Sequence, residues 1–132
     1  MRGMKLESVG SPQRGFDLEE RLLEFAARII RFSNSLPKTR EANHIAGQVL
    51  RSGTAALPHH AESQDAESVR DQIHKFKLCL KELRETDRWL KLSQRASLVS
   101  SPERLEPLLQ ETDELIRIFK TSVRTLEAKR TR

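Results

Sequence analysis

The sequence predicts an all-α protein, an antiparallel up-down-up-down bundle of four helices. Apolar residues recur at alternating spacings of three and four in four separate stretches, and capping residues or prolines stand between those stretches. The five Gly and five Pro fall mostly outside the periodic segments. The connections are short, which makes successive helices antiparallel neighbours. A chain of 132 residues is long enough for one core, and 36% hydrophobic with 33% charged residues suits amphipathic helices with wet outer faces better than a broad buried sheet. The expected organisation is a flexible arm over 1–16, the bundle over 17–127 and a basic tail over 128–132.

In the first helix, Asp17 reads as the N-cap, with Glu19 and Glu20 in the first turn where the helix dipole favours negative charge. Leu18, Leu22, Phe25, Ile29, Phe32 and Leu36 form its seam, and Pro37 closes it. The second helix starts near Thr39 or Arg40. Ala42, Ala46, Val49 and Gly53 line its inner face with Ile45 and Leu50 beside them, and their small size lets a neighbour approach closely. Pro58 should kink or end this helix, because it removes a backbone donor.

The third helix opens on a variant capping box, Ser68 with Asp71, and carries Val69, Ile73, Phe76, Leu80, Leu83 and Leu90 as its seam, flanked by Cys79 and Trp89. Strict spacing puts Asp87 in that seam, but an unpaired buried carboxylate is costly, so the seam is expected to pass through Thr86. Ser101 and Pro102 read as N-cap and first position of the fourth helix. Its seam runs through Leu105, Leu108, Leu115, Phe119 and Leu126, supported by Leu109, Ile116 and Val123, with Thr112 as one polar step.

Net charge is +5 and the isoelectric point is near 9.8, a balance that attracts polyanions. The single cysteine, Cys79, excludes an internal disulfide and sits in an apolar stretch, the setting of an inert buried thiol. There is no apolar run long enough to cross a bilayer and no secretory h-region over 1–15, so a cytoplasmic protein without a membrane partner is expected.

The third helix carries the sharpest functional signal. Arg70, His74, Lys77, Lys81, Arg84, Arg88, Lys91 and Arg95 follow one another at spacings of three and four, one position behind the seam. They form a ridge about 38 Å long at 1.5 Å per residue. From Ser68 to Ala96 there are eight Lys or Arg against four Asp or Glu, so this helix holds +4 of the chain's +5. The pairs Lys77–Lys81, Arg84–Arg88 and Lys91–Arg95 repel at the i,i+4 spacing, by about 0.2–0.5 kcal/mol each. Compensation could come from Glu103, Glu106, Glu111, Asp113 and Glu114 on the fourth helix, from another subunit, or from a phosphate backbone with counterion release. Lys129, Arg130 and Arg132 would extend a phosphate-binding surface lying near them. With no helix-turn-helix, zinc-finger spacing or aromatic platform, binding would be driven by charge and shape.

Two metal patterns have weak support. Glu41-x-x-His44 fits a di-iron motif once and Asp71-x-x-His74 only loosely, while the first and fourth helices offer no Glu within their seams. Adjacent His59 and His60, near Glu62, point about 100° apart on a helix and suit a surface or interface role near Pro58 better than shared coordination. Glu82 and Glu85 share a face without a nucleophile or base and should form salt bridges to Lys81, to the neighbours of Trp89 or to another subunit. No phosphate-cradling glycine loop or serine-nucleophile motif occurs. The reading has no catalytic residues, metal or cofactor.

The stretch Gln48-Val49-Leu50-Arg51-Ser52-Gly53-Thr54 carries a family likeness together with Ala61-Glu62, Ala66-Glu67-Ser68, Asp71 and Ile73-His74-Lys75. It continues through Lys81-Glu82-Leu83-Arg84-Glu85-Thr86 and Trp89-Leu90. These blocks and their spacing resemble the small bacterial four-helix bundle family of ribosomal S23-like proteins, encoded by intervening sequences within large-subunit rRNA genes. The likeness spans about Phe16 to Leu126. It departs from the family at His59, where an Asn is usual, and at His60, where an apolar or aromatic residue is usual. The resemblance implies a four-helix bundle, a ring-shaped homopentamer, and kinship with accessory proteins of diversity-generating retroelements that bind nucleic acid and a reverse transcriptase.

Two functions compete on this reading. One is a non-enzymatic homo-oligomeric accessory protein that presents Arg70, Lys77, Lys81, Arg84, Arg88, Lys91 and Arg95 to RNA or DNA. The other is a protein–protein scaffold without a nucleic-acid role, whose charges close its own subunit interfaces.

Overall fold

The computed structural model describes residues 14–131, with side chains from Asp17 onward. Four helices account for nearly all of it: α1 (Arg14–Ser35), α2 (Arg40–Gln64), α3 (Val69–Arg95) and α4 (Glu106–Arg130), with a 3-10 turn at Pro102–Leu105 and no strand among the described residues. Each helix packs on the next in the chain, α1 on α2, α2 on α3 and α3 on α4, and α1 meets α4 most sparingly to close the bundle. The first 13 positions of the expected arm, and Arg132 of the expected tail, lie outside the described residues.

Two helix starts follow side-chain caps. Thr39 Oγ1 accepts from Ala42 N at 3.2 Å and Ser68 Oγ accepts from Asp71 N at 3.0 Å, each satisfying one of the orphan donors of a first turn. Asp17 is not a cap. Helix α1 begins at Arg14, and Asp17 lies in its first turn, where the dipole favours a carboxylate just as well. The fourth helix also starts differently from expectation. Ser101 makes no side-chain cap bond, and Pro102 opens a 3-10 turn. Pro107 has no N–H for the Glu103 carbonyl, so Glu106 N–H bonds it instead and delays the α-helix by one turn. At its far end α4 continues through Lys129 and Arg130, whose charges suit a helix C-terminus.

Pro58 does not end α2, which continues to Gln64. The ring is exposed, and the Thr54 carbonyl that loses its donor is one turn back on the same outer stripe. Leu50 also departs from expectation at 40% exposed. Part of the buried face of α2 meets α3, with Ser52 on Thr86, the Ala56 carbonyl on Cys79 and His60 on Phe76, and Leu50 lies off that face.

The seams otherwise meet in one core. Leu22, Phe25, Ile29, Val49, Leu83, Leu90, Leu115 and Phe119 are all essentially inaccessible. Thr86 is buried, as the seam shift requires, while Asp87 sits at the edge with its carboxylate 2.9 Å from Lys91 Nζ. Thr86 and Thr112 satisfy their hydroxyls on the carbonyls one turn back, of Glu82 and Leu108. Gly53 lets α1 approach α2, since a Cβ there would stand 2.7 Å from Ile29 Cγ2. No described helix is long and apolar enough to cross a membrane.

Candidate nucleic-acid interface

All eight side chains of the ridge, Arg70, His74, Lys77, Lys81, Arg84, Arg88, Lys91 and Arg95, are exposed on the outer face of α3. The seam one position away is buried, so helical phase alone turns the ridge to solvent. Its charges are little offset. Among the described residues, Lys77 pairs with Glu127 at 3.3 Å and Lys91 with Asp87 at 2.9 Å, and no other ridge member has a carboxylate at ion-pair distance. Arg88 Nη1 donates to the Arg84 carbonyl at 3.2 Å, which leaves the rest of its guanidinium fork free.

Of the acids expected to compensate the ridge, Glu106, Glu111, Asp113 and Glu114 bond other residues, and Glu103 lies in the 3-10 turn before α4. Arg21 of α1 grips Glu111 through two nitrogens, at 2.7 and 3.1 Å, and reaches Glu114 at 3.0 Å. Asp113 pairs with Arg117 on its own helix, and Glu106 accepts from Gln94. The Arg21 contacts close the α1–α4 side of the bundle. Glu127 pairing with Lys77 brings the end of α4, with exposed Lys129 and Arg130, alongside the N-terminal half of the ridge.

The side of α3 facing α2 is built differently. Arg51 reaches across to Glu82 at 3.1 Å and to Glu85, and Glu85 also accepts from Trp89 Nε1 at 3.0 Å. The Arg51 hydrogen bond, then that of Trp89, holds the Glu85 carboxyl below its ordinary range. Beneath this clamp Ser52 and Thr86 bond in the buried interior. The blocks Gln48–Thr54 and Lys81–Leu90 therefore fold onto each other. Arg51 as the partner of Glu82 and Glu85 was not evident in the sequence, since the pairing depends on the relative register of two helices.

Trp89 stands edge-on to His44, with centroids 6.0 Å apart and planes at 83°. Beside them lies a groove of about 540 Å³, lined by Arg40, Glu41, His44, Ile45, Trp89 and Leu92. It too escaped the sequence reading, because its two aromatic rings are far apart in the chain.

The histidines do not assemble. His44 lies near the start of α2 and His74 near the start of α3, at opposite ends of antiparallel helices. His60 is not at the surface near Pro58 but 2% exposed in the core, stacked on Phe76 and edge-on to Phe119. It occupies an apolar place, and burial lowers its pKa. His59 Nδ1 is 3.5 Å from Glu62 Oε1, too long for a hydrogen bond, and Lys75 takes that carboxylate at 3.2 Å. Among the described residues no group of three or more His, Cys, Asp or Glu could hold a metal ion. Cys79 is buried with its Sγ 3.5 Å from the Ala56 carbonyl, and desolvation pushes its thiol up to about 12, far from a reactive thiolate.

The family model of the 23S rRNA-intervening sequence protein matches residues 16–121. No curated protein matches the chain. Among solved structures, a protein of unknown function from the S23 ribosomal protein family of Bacteroides thetaiotaomicron is similar. It shares 28% identity and a TM-score of 0.77, over 83% of this chain and 97% of that one. The match over most of the bundle places the chain in the 23S rRNA-intervening sequence protein family.

Proposed function

We propose that the chain is a non-enzymatic, homo-oligomeric accessory protein that presents the outer face of α3 to the phosphate backbone of RNA or DNA. The observation that carries this reading is the exposure of the whole ridge while the α4 acids Glu111 and Glu114 pair with Arg21. A row of cations of which only Lys77 and Lys91 have a carboxylate partner among the described residues gains from a polyanion, by counterion release. Arg84, Arg88 and Lys91, at the middle of the row, make the principal contacts, and Lys77 and Lys81 extend them.

The opposite side of the bundle suits self-association. Leu23 and Ile30 of α1, one heptad apart, and Leu50 of α2 are 44%, 46% and 40% exposed. Contact there leaves the ridge free. In the competing reading the same cations close subunit contacts in a scaffold that binds no nucleic acid.

The two readings separate by salt. Labelled structured RNA and duplex DNA are titrated at about 50 and 200 mM salt, beside an Arg84→Ala, Arg88→Ala, Lys91→Ala variant, with light scattering on each sample. Affinity that falls steeply with salt and collapses in a variant of unchanged mass is the expected result. No binding at low salt, with the variant dissociating into smaller species, overturns it in favour of the scaffold.

A further inference from the structure

The apolar groove between α2 and α3 adjoins the C-terminal end of the ridge. Leu92, one of its walls, is four residues after Arg88 and three before Arg95, so the three side chains are neighbours on the surface of α3. Trp89 lies one turn before Leu92 on the side facing α2. Cations therefore border the groove along α3, and Arg40, with its side chain 91% exposed, borders it along α2. We propose that this groove receives an unpaired nucleobase of the strand whose phosphates lie on the ridge. The inference rests on the nucleic-acid reading above and narrows it to nucleic acid with unpaired nucleotides.

The groove has the chemistry for that occupant. Its apolar lining is Ile45, Leu92 and Trp89, and Leu92 is 44% exposed among the described residues. The Trp89 ring is already fixed, because Nε1 donates to Glu85 at 3.0 Å and Arg51 holds Glu85 in turn. A fixed aromatic ring makes stacking cheaper in conformational entropy. Arg40, Glu41 and His44 supply donors and acceptors for a base edge. A base paired inside a duplex is stacked on its neighbours and cannot enter, so the groove discriminates in favour of unpaired nucleotides.

The experiment uses Trp89, the single tryptophan of the chain, as its reporter. A blunt duplex, and a duplex of equal charge carrying a short unpaired extension, are titrated at about 50 mM salt into the wild-type chain and a His44→Ala, Leu92→Gln variant. Both substituted positions are exposed, and circular dichroism checks that the variant folds. Both nucleic acids should bind the wild-type chain. The extension should quench Trp89 fluorescence and bind about tenfold tighter, as expected for one stacked base. The variant should lose the preference and keep its duplex affinity. Equal binding of both without quenching overturns the base site and leaves the ridge reading standing. Binding of neither overturns both, and quenching by an apolar peptide with none by nucleic acid reassigns the groove to a protein partner.

Discussion

Ser52 Oγ lies 2.8 Å from Thr86 Oγ1 between α2 and α3, and both residues are fully buried. Thr86 spends its one hydroxyl proton on the Glu82 carbonyl at 2.9 Å, so Ser52 is the donor in the pair. Thr86→Val keeps the shape but leaves that donor without its acceptor in the core. A loss of about 1–3 kcal/mol is expected by urea denaturation. Adding Ser52→Ala should recover part of it, because both polar groups are then gone.

The two glycines of α2 should respond oppositely to alanine. A Cβ at Gly53 would meet Ile29 Cγ2 at 2.7 Å and Cγ1 at 2.8 Å, branch atoms of a fully buried side chain that has no room to retreat. Gly53→Ala should cost about 1–3 kcal/mol despite its better helix propensity. Gly47 has nothing within 4 Å of such a Cβ. Gly47→Ala should stabilise by about 0.5–1 kcal/mol, and parallel thermal melts compare the two.

Arg51 ties Glu82 and Glu85 to α2 but is itself 51% exposed, so solvent screens the clamp. Arg51→Ala should therefore lose no more than about 1 kcal/mol, and less at high salt. Arg51→Lys should not restore the loss, because one ammonium cannot reproduce the fork that spans both carboxylates. Denaturation at two salt concentrations reads both effects.

His60 makes the bundle sensitive to acid. Its Nε2 lies 3.1 Å from Gln64 Nε2, an amide donor, which places the ring proton on Nδ1, a buried atom with no partner among the described residues. Burial lowers the pKa and the Glu19 carboxylate on α1 only partly opposes it. The unfolded chain then binds a proton more readily than the folded one. Stability is whole above about pH 6.5, the ordinary histidine value, and declines as the pH falls from there toward the folded-state value. A Tm falling from pH 7 to pH 5, with a shallower decline in His60→Phe, is the expected result.

The seams were legible because helical period and burial follow the same rule. Thr86 rather than Asp87 enters the core for a reason visible in the sequence, the cost of burying a carboxylate. Local chemistry likewise placed the cap at Ser68, and the second helix starts at Arg40, within the expected Thr39 or Arg40. It failed at the fourth helix, where two prolines compete and the later one decides where α-helical bonding begins. His60 was misjudged because a helical wheel gives a direction and not a neighbour. Only the packing of Phe76 and Phe119 around it makes that direction interior.

By itself the sequence determined the four helices, their faces and a continuous row of cations on α3, since these depend on residues within a few turns of one another. The tertiary structure decided which charges are offset. Arg21 takes Glu111 and Glu114, Arg51 takes Glu82 and Glu85, and most of the ridge faces solvent without a carboxylate partner among the described residues. It also joined His44 to Trp89 beside Leu92. Ion pairs and grooves between helices depend on register and separation to within a few ångströms, and helical periodicity carries no information about either.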